Sequence, residues 1–129
     1  SPSSKAPQNC SCCHSPRHSV RRNDQVPRQV GYIRSLSENA RKRHVHETDR
    51  GRVQGFTVQL EMWHDAKWVV IVRYDGSHGF PHKDFFRRNG ESRKVPLKMS
   101  FKEALVFADK DIGDRWGMYF QRFLRGDWP

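Results

Sequence analysis

The segment "VQGFTVQLEMWHDAKWVVIVRYD", residues 53–75, leaves little freedom in how this chain can fold. Its first half alternates, with Phe56, Val58, Leu60 and Met62 on one side, which is the period of a half-buried strand. The second half, "KWVVIVRYD", is a Val/Ile-rich run suited to a central strand. Only "HDA" lies between them, so the two are expected to pair as an antiparallel hairpin. Upstream, "ARKRHVHET" followed by the turn-forming "DRGR" predicts a further strand of the same meander. Downstream, "RKVPLKM" supplies at most an edge strand, because Pro96 cannot donate to a ladder.

The C-terminal part has a different period. Ser100 followed by Glu103 is a capping-box signature, and Ala104, Leu105, Ala108, Ile112, Trp116, Tyr119, Phe120 and Phe123 recur at helical spacing. A helix over about 101–124 follows, with Gly113 and Gly117 each costing up to ~1 kcal/mol and favouring a bend near 113. Its apolar face, through Leu105, Ala108, Ile112 and Trp116, is expected to cover the sheet rather than to stack on nucleobases, because a short meander needs a cover. The fold class is therefore α+β: an antiparallel sheet of 3–4 strands packed against one long C-terminal helix, in a single domain over residues 35–129.

Residues 1–34 read as a disordered basic arm. They are rich in Ser and Pro and hold Lys5, Arg17, Arg21, Arg22, Arg28 and Arg34 against Asp24 alone, so they cannot bury enough apolar surface to offset chain entropy. The arm contributes half of the net charge of +10, a balance that suits contact with RNA. Cys10, Cys12 and Cys13 cluster in it, with His14 and His18 nearby. Every donor lies in one short run, unlike a structural zinc site built from two separate ligand pairs, so no cofactor or metal is expected. No apolar run approaches the ~18 residues of a membrane span, and a cytoplasmic location is the expectation.

Chemistry concentrates in "RYDGSHGFPHKD", residues 73–84. At the end of the buried strand, Arg73 and Asp75 point one way and Tyr74 the other, and Arg73 and Asp75 are placed to pair. Gly76, Gly79 and Pro81 then shape a loop that fixes His78 and His82. Three readings stay open. His78 and His82 can act with Arg73 or Lys83 on a phosphodiester, one imidazole accepting a proton and the other giving one while the cation stabilises charge. Alternatively Asp75, His78, His82 and Asp84 hold a divalent ion, or the same side chains cap turns while Asp84 starts a helical turn in "DFFRR". Lys83, Arg87 and Arg88 are the candidate nucleic-acid-binding cations beside the loop. His44 and His46 share one face of their strand and His64 sits in a turn; all three read as exposed, although an antiparallel neighbour can bring His44 or His46 toward the loop.

"VRYDGSHGFPHKD", followed by "EALVFADKDIGDRW" and "FQRFL", resembles a family of small uncharacterised prokaryotic proteins with an Arg-Tyr-Asp strand end, a His-Gly-x-x-His-x-Asp loop and a C-terminal helix. The resemblance covers roughly residues 40–125 and implies no activity. More distantly, the loop is similar to the Arg-Tyr-Asp-Asn and His-rich segment of TumE-type toxins of toxin–antitoxin pairs. That resemblance implies a toxin-like, metal-independent endoribonuclease neutralised by an antitoxin-like protein partner, with only Arg73, Asp75, His78 and His82 on the shared pattern. Gly76-Ser77 departs from it. The different-class alternative is a non-enzymatic module that binds nucleic acid or an acidic protein.

Overall fold

The computed structural model describes residues 27–77 and 79–129. Among these residues, six strands in series form one antiparallel sheet in sequence order: β1 (Arg28–Ser37), β2 (Ala40–Asp49), β3 (Arg52–His64), β4 (Lys67–Gly76), β5 (His82–Phe86) and β6 (Ser92–Pro96). A helix, α1 (Phe101–Leu124), follows. The hairpin read from residues 53–75 is β3–β4, closed by Asp65 and Ala66, both at positive φ of 55° and 61°. Two such residues in a row give the turn whose twist matches that of the flanking strands.

The sheet has two more strands than the sequence suggested. The first seven residues of β1 lie within the residues read as basic arm, and nothing in "RQVGYIRSLS" marks it, because its first eight residues are exposed on both faces. β5 replaces the expected helical turn: "HKDFF" pairs with β4 from Val72↔Phe85 to Asp75↔His82, and ladder hydrogen bonds outweigh the weak capping tendency of Asp84. β6 is the edge strand anticipated at Pro96.

α1 starts where the capping box placed it, with Ser100 and Glu103 satisfying each other's backbone. It runs unbroken through Gly113 and Gly117. Its buried stripe of Ala104, Leu105, Ala108, Ile112, Tyr119 and Phe123 packs on Phe56, Val58, Leu60 and Met62 of β3 and on Val72 and Tyr74 of β4. Trp116 lies at the rim, half-buried, rather than in the core. The helix covers one face of the sheet. The other face carries polar side chains that bury one another.

Candidate functional site

Strand pairing decides which of the loop's residues meet. Arg73 faces Asp84 and Asp75 faces His82 across β4 and β5, so all four share the face away from α1, while Tyr74 and Lys83 share the helix side. On the open face Arg73 does not pair with Asp75. Its Nε donates to Gln59 Oε1 at 3.0 Å, and Asp75 instead accepts from the Thr57 hydroxyl at 3.3 Å. Gln59 in turn donates to Glu61, which also receives Arg41 at 2.6 Å and Arg43 at 2.8 Å. Burial pushes the Glu61 carboxyl up, but hydrogen bonds from Arg43, Gln59 and Arg41 outweigh it and hold Glu61 below its ordinary value.

Beside Asp75 a cleft of about 270 Å³ opens over Gly55, bordered by Gln29, His46, Glu47, Thr57 and Ser77. Space is tight here: a Cβ at residue 55 would sit 3.2 Å from the Gly76 carbonyl oxygen. The Nδ1 atom of His82 is buried and has no hydrogen-bond partner among the described residues. His78 lies outside the described residues, as do Cys10, Cys12, Cys13, His14 and His18.

The three cations read beside the loop face elsewhere. Lys83 enters the sheet–helix boundary, where its Nζ lies 2.7 Å from the Tyr119 hydroxyl and 3.4 Å from Asp111 Oδ2. Tyr74 and Tyr119 both donate to that same Asp111 oxygen, each at 2.5 Å. Burial pushes the Lys83 ammonium below its ordinary value although Asp111 pulls it up, and burial beside Asp111 raises both phenols. Arg87 donates to the Gly126 carbonyl and Arg88 to that of Leu124, so both tie β5 to the end of α1.

A second polar constellation occupies the helix side of β1 and β2. His44 Nδ1 lies 3.0 Å from Asp109 Oδ1 of α1, and His44 Nε2 lies 2.7 Å from His46 Nδ1. Tyr32 of β1 stacks on the His44 ring at 4.6 Å, and Lys42 Nζ meets the same Asp109 oxygen at 3.0 Å. In the tautomer that carries the His44 proton on Nδ1, facing Asp109, Nε2 accepts from the Nδ1–H of His46. That arrangement leaves His46 Nε2 as the proton-accepting atom. Burial and neighbouring His44 hold the His46 imidazole below its ordinary value of 6.5, with Asp109 opposing.

This hydrogen-bonded series was legible only in part. Spacing put His44 and His46 on one strand face, but Asp109 comes from an element 65 residues away and Tyr32 from a strand without a sequence signature. Pairing puts His44 and His46 on the sheet face opposite Asp75 and His82, although His46 also borders the cleft beside Asp75. Among the described residues, no group of three or more His, Cys, Asp or Glu is placed to hold a metal ion, and no helix is long and apolar enough to cross a membrane.

A family model described as a domain of unknown function (DUF7718) matches residues 21–128. The chain belongs to this family. Neither the curated proteins nor the solved structures give a match. The DUF7718 match spans every strand and the helix, so β1, unmarked by burial pattern, belongs to the same unit as the rest of the sheet.

Proposed function

We propose that this protein cleaves RNA without a metal, with His46 as the proton acceptor. The observation that carries the reading is the Asp109–His44–His46 chain, a hydrogen-bonded series ending in an imidazole that is neutral at physiological pH. In the step, His46 Nε2 takes the proton of a ribose 2′-hydroxyl. As that proton arrives, the Nδ1 proton of His46 passes to Nε2 of His44, and the positive charge comes to rest beside Asp109. The 2′-oxygen bonds to the adjacent phosphorus and the bond to the 5′-oxygen breaks. That oxygen leaves with a proton from solvent, giving a cyclic phosphate and a 5′-hydroxyl. Tyr32, its ring already stacked on His44 and 44% exposed, offers a flat surface for a nucleobase.

A second reading keeps the reaction and moves it to the open face, with His82 as the proton-transfer group and Arg73 stabilising charge. It is favoured by the buried, unpartnered Nδ1 of His82, which pairs across the ladder with Asp75. The deciding experiment follows cleavage of a mixed single-stranded RNA from pH 5 to 8 with chelator present. For the first reading, His46→Gln loses about 10²-fold or more of the rate, and the wild-type rate rises with a midpoint below 6.5. Loss in His82→Ala with His46→Gln fully active transfers the site to the open face. An intact substrate with every variant removes the nuclease and leaves a binding module, whose RNA affinity falls steeply with salt.

A further inference from the structure

The two sheet edges are built differently. β6 is five residues long, carries Arg93 and Lys94, and ends on Pro96, all of which discourage pairing with another chain. β1 is ten residues long, and among the described residues it pairs with β2 alone. It exposes Val30, Tyr32 and Ile33 by 43%, 44% and 49%. A long edge with apolar side chains on both faces is a template for another strand. On the open face, a hollow of about 340 Å³ lies over Gly31, bounded by Ile33, Arg43 and Val45 at this edge.

The pattern of β1 selects its partner. In an antiparallel pair about a two-fold axis normal to the sheet, side chains that face each other must lie on the same face, so residues pair with others of the same parity. Centring the axis on Ile33 sets Ile33 against its own copy and Tyr32 against Arg34 of the second chain, an apolar pair flanked by two guanidinium–ring pairs. No like charges oppose. Centring on Arg34 would set the two Arg34 guanidinium groups against each other, and centring on Tyr32 would set Arg34 against Val30.

We propose that two copies of this chain pair through β1, centred on Ile33, and that each supplies Arg34 to the histidine chain of the other. Arg34 and Tyr32 lie on the helix side of β1, opposite Lys42 and His44 of β2. The partner copy's Arg34 therefore arrives at the edge of the Tyr32 ring that stacks on His44. There it provides a phosphate-binding cation; Lys42, which faces that side of β2, is buried and engaged by Asp109. The assignment of Arg34 rests on the RNA-cleavage reading; the pairing itself does not.

Two measurements separate them. With Cys10, Cys12 and Cys13 replaced by Ser, Ile33→Cys is oxidised under mild conditions. A two-fold pair centred on residue 33 brings the two Cα atoms to about 4.5–5.5 Å, within disulfide range. The expected result is a covalent dimer from Ile33→Cys and little from Gln29→Cys, with a two-chain mass for the unmodified protein by light scattering and one chain for Ile33→Asp. A single-chain mass at tens of micromolar, or a dimer that Ile33→Cys fails to cross-link, overturns the pairing. For the shared site, Arg34→Ala and His46→Gln are each expected to cut RNA weakly, and a mixture, in which the heterodimer has one complete site, to recover up to a quarter of the wild-type rate. A cross-linking dimer whose mixture recovers nothing overturns the contribution of Arg34 and leaves the interface. Wild-type protein that cuts no RNA sinks the cleavage reading and the role of Arg34 with it, while the cross-link still decides the interface.

Discussion

Two residues depart from ordinary behaviour in ways that measurements can reach. Ala66 sits at φ 61° in the β3–β4 turn, a conformation that costs a residue with a Cβ about 1–2 kcal/mol and costs glycine nothing sterically. An Asp followed by a glycine is a favoured pair for such a turn, so Ala66→Gly is expected to stabilise the protein by about 0.5–1 kcal/mol in urea unfolding, despite the greater freedom of glycine in the unfolded chain. An unchanged or lower midpoint would mean that the turn carries no strain. His46 is the second such residue. Its protonation is disfavoured in the folded protein, so the unfolded chain binds more protons as pH falls from about 6.5. Stability is therefore fully present above the ordinary histidine value and is lost on acidification through the lower folded value, with Glu61 adding a loss of the same sign below 4.5. His46→Gln should flatten the first of these slopes and leave the second. If both slopes persist unchanged, His46 is not held neutral by its surroundings.

At the scale of elements, α1 is fixed to the sheet by two kinds of contact that were unequally legible. The apolar stripe and the capping box were visible in the sequence, because helical periodicity and a Ser-x-x-Glu spacing are local patterns. Asp111 was not, because a carboxylate between Lys110 and Ile112 looks like part of a solvated face until its partners are known. They come from two other strands: Tyr74 of β4 and Lys83 of β5, with Tyr119 two helical turns further along α1. Asp111→Ala would leave two buried hydroxyls and a buried ammonium without their common acceptor, a loss expected to cost about 3–5 kcal/mol in thermal or urea unfolding. A cost below about 1 kcal/mol would mean that water replaces the carboxylate at this boundary. The same locality explains what was read of the loop. Alternation within β4 put Arg73 and Asp75 on one face and Tyr74 on the other, but their partners Gln59 and Thr57 depend on the register of β3, and Lys83 was read as a free cation because β5 was not seen as a strand.

For the whole molecule, the pairing order β1 to β6 makes every sheet neighbour a sequence neighbour, and among the described residues the core is drawn entirely from positions between Ala40 and Phe123. Among the described residues the sheet begins at Arg28. Removing residues 1–26 is therefore expected to leave the melting temperature within about 2 °C, since a shift of that size corresponds to well under 1 kcal/mol in a domain of this length. Charge behaves differently. The deleted segment holds Lys5, Arg17, Arg21 and Arg22 against Asp24, so the shortened chain keeps a net charge of +7 out of +10. RNA affinity rests on counterion release, so any of the four cations that contacts phosphate contributes roughly 0.7 to the slope of log affinity against log salt for a single strand. The shortened protein should then bind single-stranded RNA more weakly at 50 mM salt, with a shallower slope, and approach the full-length protein as salt rises. Equal slopes for the two forms would place all phosphate contacts on the sheet and helix. A fall of several degrees in melting temperature would show that the first 26 residues pack on the domain after all, with the exposed β1 edge as the nearest surface for them to cover.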